Sequence, residues 1–184
     1  RIYAGGLAGN PLAKDDLAPS AENLYLIDLD GSCRVVAEDV RLTNGLGFSP
    51  DSRTLYHSDS IRRTVFSYKV GENGSLGPKE AFARTARGAP DGLKVSEDGA
   101  VWVALAAGGS GVAVYESDGS PRKYIDIPHP MCPSLCFGGD DLRDLYIVSG
   151  SEGLTGDKAG GIFRIRTDVA GLPLAAAKVT LNPR

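Results

Sequence analysis

Asn44 and Asp91 are the two residues in this sequence whose types and spacing best suit chemistry, because each opens a segment of the same form. Asn44-Gly-Leu-Gly-Phe-Ser-Pro-Asp51 is followed by Leu55-Tyr-His-Ser-Asp-Ser60, and Asp91-Gly-Leu-Lys-Val-Ser-Glu-Asp98 by Val101-Trp-Val-Ala-Leu-Ala106. A third copy runs Ser134-Leu-Cys-Phe-Gly-Gly-Asp-Asp141 and then Leu145-Tyr-Ile-Val-Ser-Gly150, with Asp140 and Asp141 interchangeable in the alignment. The later acidic residue of each copy falls in a turn. A strand of about five residues spans roughly 17 Å, so the earlier residue belongs at that strand's other end. If the units repeat around one axis, Asn44 and Asp91 converge at a single mouth, with Ser134 as a third candidate. Asn-Gly and Pro-Asp-Gly are also ordinary turn signals. Each unit, however, already has its reversal seven residues later.

An amide carbonyl and a carboxylate are hard oxygen donors, which suit Ca²⁺ or Mg²⁺ and hold Zn²⁺ or Mn²⁺ less selectively. One divalent cation, Ca²⁺ first among these, is the expected cofactor, with its remaining ligands coming from upstream of Arg1, from water or from substrate. A soft-metal centre fails on inventory. The histidines are only His57 and His129, and Cys132 and Cys136 have no second cysteine pair to complete four ligands. Three cysteines argue against a disulfide framework, so Cys33, Cys132 and Cys136 read as free and mostly packed, Cys136 as a small buried hydrophobe. No Gly-x-Ser-x-Gly elbow, Walker loop or dinucleotide fingerprint is present. His57, between Tyr56 and Ser58, reads as a packed or rim side chain. The Asp59-Ser60 pair is expected on the side of its unit opposite Asn44, in a structural role, with lining of a channel as the lesser alternative.

The elements that position these residues are strands. Tyr56, Trp102 and Tyr146 recur 46 and 44 residues apart, and Tyr3 fits an earlier copy. Between them recur short runs with partial period-2 alternation that end in polar turns: Leu24–Gly31, Val65–Gly71, Val112–Gly119 and Ile162–Asp168. Ala100 to Ala107 is alanine-rich, but its Val-Trp-Val core favours a strand over a helix. A unit of about 45 residues with four short strands is the size of one β-propeller blade. The expected fold is therefore all-β: a single propeller domain over residues 1–184, with about four blades of a six-bladed ring. Because Arg1 enters a strand-like run at once, an N-terminal truncation is expected, and with it self-association of an unclosed ring.

Composition narrows the class. The 184 residues include 24 glycines and 11 prolines, and carry 20 Lys+Arg against 23 Asp+Glu for a formal charge of −3. Without a basic block there is no electrostatic footprint for nucleic acid. No run approaches the roughly 18 apolar residues of a membrane helix, and no signal sequence opens the chain. A cytoplasmic protein with no nucleic-acid or membrane partner is the expectation; oligomeric state is not legible.

Thr43–Ser60, Pro90–Ala104 and Phe137–Ser149, taken in order, resemble the family of senescence marker protein, gluconolactonase and luciferin-regenerating enzyme, most nearly its regucalcin-like lactonases. The resemblance implies a six-bladed propeller with one divalent cation in its channel, hydrolysing sugar lactones or related esters. It implies Asn44 and Asp91 as metal ligands and Asp91 also as general base. The family's first acidic ligand and its substrate-contacting Arg and Asn would lie upstream of Arg1, so no substrate-binding residue is assigned. The stretch Leu7-Ala-Gly-Asn-Pro11 shows no acidic match to the family's glutamate-bearing segment. Two other readings stay open: a noncatalytic propeller that binds calcium or a protein partner, and a phosphotriester or aryl-ester hydrolase using the same cation.

Overall fold

A computed structural model describes residues 1–8, 20–151, 160–174, 176, 178 and 179. Among these residues there is no helix, and the strands form four antiparallel meanders. The first sheet is β1 (Ile2–Gly5), β2 (Glu22–Ile27) and β3 (Cys33–Val40). The second is β4 (Thr43–Phe48), β5 (Thr54–Asp59), β6 (Thr64–Lys69) and β7 (Glu80–Arg84). The third is β8 (Ala89–Val95), β9 (Val101–Ala106), β10 (Gly111–Tyr115) and β11 (Pro121–Asp126). The fourth is β12 (Met131–Gly138), β13 (Asp144–Gly150) and β14 (Gly161–Arg166). Two of the four units thus show the expected four strands, and the other two show three among the described residues.

The sheets stack face to face, and strand alternation explains how a single strand serves two interfaces. In β9, Val101, Val103 and Leu105 join Tyr56, Val65 and Ala83 in the layer between the second and third sheets. Trp102 and Ala104 of the same strand point the other way, to Leu135, Leu145 and Ile147 of the fourth sheet. Every residue of β9 is buried, so its near-continuous apolar run is the signature of a strand covered on both faces. A third layer joins Leu24 and Val40 of the first sheet to Leu55 and Tyr68 of the second.

The repeat read from the sequence is reproduced in the turns. Asp51, Asp98 and Asp141 each accept the backbone N–H of the residue two positions on, and the next residue, Ser52, Gly99 or Leu142, has positive φ. These are Asx turns, which reverse the chain between the first and second strands of a unit. A second turn type follows β2 and β10, where Asp30 and Asp118 bind Ser32 and Ser120 in the same way. This match makes β2 the counterpart of β10, and β1 that of β9, in agreement with the placing of Tyr3 beside Trp102. The counterpart of β4 and β8 in the first sheet is not among the described residues.

The thiols differ from expectation. Cys132 is buried, but Cys33 and Cys136 are exposed. Cys136 pairs across with Tyr146, and Tyr146 with Arg164; alternation turns this row away from the packed Leu135 row, onto a face that no described sheet covers.

Candidate functional site

Strands β4, β8 and β12 are successive neighbours along the stack. At the Asn44-Gly45 and Asp91-Gly92 steps each strand closely approaches the next. Both steps are bulges: pairing shifts between Thr43 and Leu46 in one strand and between Pro90 and Leu93 in the next. A bulge bends its strand and re-aims a side chain, and bulges are frequent beside active sites. The glycines have a packing reason rather than a turn reason. A Cβ on Gly45 would stand 2.3 Å from the Leu93 nitrogen and 2.7 Å from the Asp91 carbonyl oxygen, and one on Gly92 would stand 2.8 Å from Ser134 Oγ. The backbones of Asn44 and Asp91 are thereby brought side by side at the same end of two inner strands. Ser134 lies against Gly92 and is exposed; the shift in β12 falls between Met131 and Ser134, so Ser134 does not share the bulge position of Asn44 and Asp91.

The Asn44 amide has a defined orientation. Its Nδ2 donates to Ser60 Oγ at 2.7 Å, and Ser60 Oγ donates to the Pro90 carbonyl at 2.7 Å. Asn44 Oδ1 accepts no hydrogen bond among the described residues, which leaves a neutral oxygen donor available. Asp91 is partly buried and has no ion pair among the described residues. Burial pushes its carboxyl up to about 6, against the lowering effect of the Gly92 N–H. A carboxylate withdrawn from water without a positive partner and a free amide oxygen suit a hard divalent cation, so the donor chemistry fits the expected group. No cluster of three His, Cys, Asp or Glu side chains occurs among the described residues, so the two would need further donors. Gly9, Asn10 and Pro11, in the stretch without an acidic match, lie outside the described residues.

Asp59 and Ser60 do not lie on the side of the unit opposite Asn44, where the sequence led us to expect them. They are beside it, because the antiparallel pairing of β4 with β5 sets Thr43 opposite Asp59. The buried Asp59 carboxylate accepts from the backbone N–H groups of Arg41 and Leu42 and pairs with Arg62 at 2.8 Å. The signal was available in the sequence: in a hairpin, the last residues of the second strand always return to the first residues of the first. His57 is fully buried and its ring nitrogens have no hydrogen-bond partner among the described residues, so it is a packed residue. His129 Nδ1 lies 2.9 Å from Ser149 Oγ, on the neighbouring unit. A cavity of about 640 Å³ opens at the other end of the inner strands, lined by Phe48, Ser49, Lys94, Val95 and Leu172 among others; Asn44 and Asp91 do not line it.

Antiparallel meanders stacked face to face, with their first strands adjacent along one side, define a β-propeller. The family model of the SMP-30/Gluconolactonase/LRE-like region matches residues 1–151, and the chain belongs to that family. It is 34% identical over 172 residues to pentonolactonase XacC of Haloferax volcanii, covering 86% of this chain and 59% of the relative. It is also 34% identical over 157 residues to a 6-deoxy-6-sulfogluconolactonase of Pseudomonas putida, covering 80% and 54%. Among solved structures, a luciferin-regenerating enzyme superposes with a TM-score of 0.78 at 25% identity, over 97% of this chain and 66% of that one. The chain thus spans somewhat over half the length of the curated relatives it matches. Among the described residues no helix is long and apolar enough to cross a membrane.

Proposed function

We propose that this chain carries part of the active centre of a divalent-metal-dependent hydrolase of sugar lactones, with Asn44 and Asp91 as metal ligands. The observation that carries the reading is the matched pair of bulges that brings the backbones of Asn44 and Asp91 together, the one residue with an uncommitted amide oxygen and the other with a partly buried carboxylate that has no ion pair among the described residues. The relatives named as lactonases supply the substrate class. A divalent cation there, Ca²⁺ in the first instance with Zn²⁺, Mg²⁺ or Mn²⁺ as alternatives, would polarise the lactone carbonyl and stabilise the oxyanion formed as water adds. Asn44 contributes a neutral oxygen whose direction is set by its amide nitrogen. Asp91 would hold a negative charge at the site and take the proton of the attacking water; burial raises its basicity, and a bound cation would lower it again. The matched 86% of this chain covers 59% of a relative's length, so four sheets in the whole chain scale to a ring of about six. Three unbridged cysteines accord with a cytoplasmic location.

The test is hydrolysis of aldonolactones by the purified protein with and without chelator, beside Asp91→Ala. Loss of turnover in both cases is expected, and activity indifferent to both would end the proposal. A second reading is a noncatalytic propeller that binds calcium through the same two oxygen donors. Calorimetric Ca²⁺ binding with no turnover of lactone, phosphotriester or aryl ester would select it.

A further inference from the structure

Ser60 occupies a junction that the cation reading does not use. Its hydroxyl accepts from Asn44 Nδ2 and donates to the Pro90 carbonyl, both at 2.7 Å, and Pro90 is the residue that delivers Asp91. Its backbone N–H donates to the Leu42 carbonyl at 3.1 Å, and the Asp59 carboxylate beside it holds the N–H groups of Arg41 and Leu42. One dipeptide at the end of β5 thus grips the segment that leads into Asn44, the Asn44 side chain and the carbonyl before Asp91.

We infer that Ser60 is a positioning residue for the candidate cation site, orienting the Asn44 amide and tying the second unit to the third. The inference rests on the reading of Asn44 and Asp91 as ligands. The physical argument is one of donor and acceptor inventory. An asparagine amide can present either its oxygen or its nitrogen in a given direction, and only the oxygen binds a cation. A serine hydroxyl has one proton. Because the Ser60 proton is committed to the Pro90 carbonyl, the hydroxyl can only accept from Asn44, and the amide is held with its nitrogen toward Ser60 and Oδ1 away. The Pro90 carbonyl therefore sets the polarity of the amide in the neighbouring unit. Partners of this kind, which orient a ligand without touching the metal, typically change metal affinity by roughly 10- to 100-fold when removed.

The experiment compares the wild-type chain with Ser60→Ala and Ser60→Thr, the latter keeping the hydroxyl. Calorimetric titration with Ca²⁺ alone, repeated with Mn²⁺ and Zn²⁺, is expected to show a roughly 10- to 100-fold weaker affinity in Ser60→Ala and near-wild-type affinity in Ser60→Thr. In chelator, the nitrogen-15 resonances of the Asn44 side-chain amide should show a slowly exchanging proton in wild type and Ser60→Thr that is lost in Ser60→Ala, while thermal melts of all three stay close together. Equal cation affinity of wild type and Ser60→Ala would overturn the inference. A wild-type chain that takes up none of the three cations defeats the ligand reading instead; the amide signal then decides for Ser60, and a signal unmoved in Ser60→Ala overturns the positioning role.

Discussion

The rings of His57 and Tyr68 lie 6.5 Å apart between the first and second sheets, and neither the His57 nitrogens nor the Tyr68 hydroxyl has a hydrogen-bond partner among the described residues. Burial pushes the His57 pKa down to about 4, despite the opposing charge of Asp59 and in line with those of Lys79 and Arg62. A histidine with a depressed folded-state pKa binds its proton more readily when unfolded. It therefore does not penalise the fold above about pH 6.5, and stability falls progressively as pH drops toward 4. The full loss is about 3 kcal/mol for this one group. Thermal melts between pH 8 and 4 should show that slope, and His57→Leu, of similar volume, should flatten it.

Asp91 gives the opposite sign. Its carboxyl is raised to about 6 in the cation-free chain, so the ionised form at pH 7 works against folding. Replacement by Asn should stabilise the protein in chelator by about 1 kcal/mol, discounted for partial exposure, while abolishing lactone hydrolysis. A melt at pH 7 in chelator beside an activity assay checks both halves. A destabilised Asp91→Asn would show that the carboxylate is a structural acceptor.

The close approach of the inner strands at Gly45 makes that position intolerant. A Cβ 2.3 Å from the Leu93 backbone nitrogen has no flexible neighbour to displace, so Gly45→Ala should cost about 3 kcal/mol, the upper range for overpacking. Gly99, with φ of 86° and Ser117 Cβ at an ordinary 3.6 Å from where a Cβ would stand, offers the contrast. Gly99→Ala should cost about 1 kcal/mol, from backbone conformation alone. Denaturant melts of the two variants would separate steric from conformational cost.

The three thiols should react unequally. Cys33 and Cys136 are exposed, whereas Cys132 is buried and burial pushes its thiol up to about 11. Titration with a chromogenic disulfide should consume two thiols quickly and the third only after unfolding, since the thiolate is the reacting form. Three fast thiols would contradict the packing of β12.

The strands, their turns and the repeat were legible in the sequence, because alternation, Asx-turn residues and recurring aromatics are local signals set by backbone geometry within a few residues. Asn44 and Asp91 stood out for the same reason, as equivalent positions in a repeat. What the chain order left open was decided by contacts between units. The glycines after those two residues serve strand approach rather than a turn, which depends on the backbone of a neighbouring unit, one repeat away in sequence. Cys136 is exposed because burial depends on which faces acquire a covering sheet, a property of the stack and not of the strand. Ser60 links Asn44 to Pro90 only after antiparallel pairing folds β5 back on β4 and the third unit packs beside it, because a hydrogen bond between units exists only in the assembled fold.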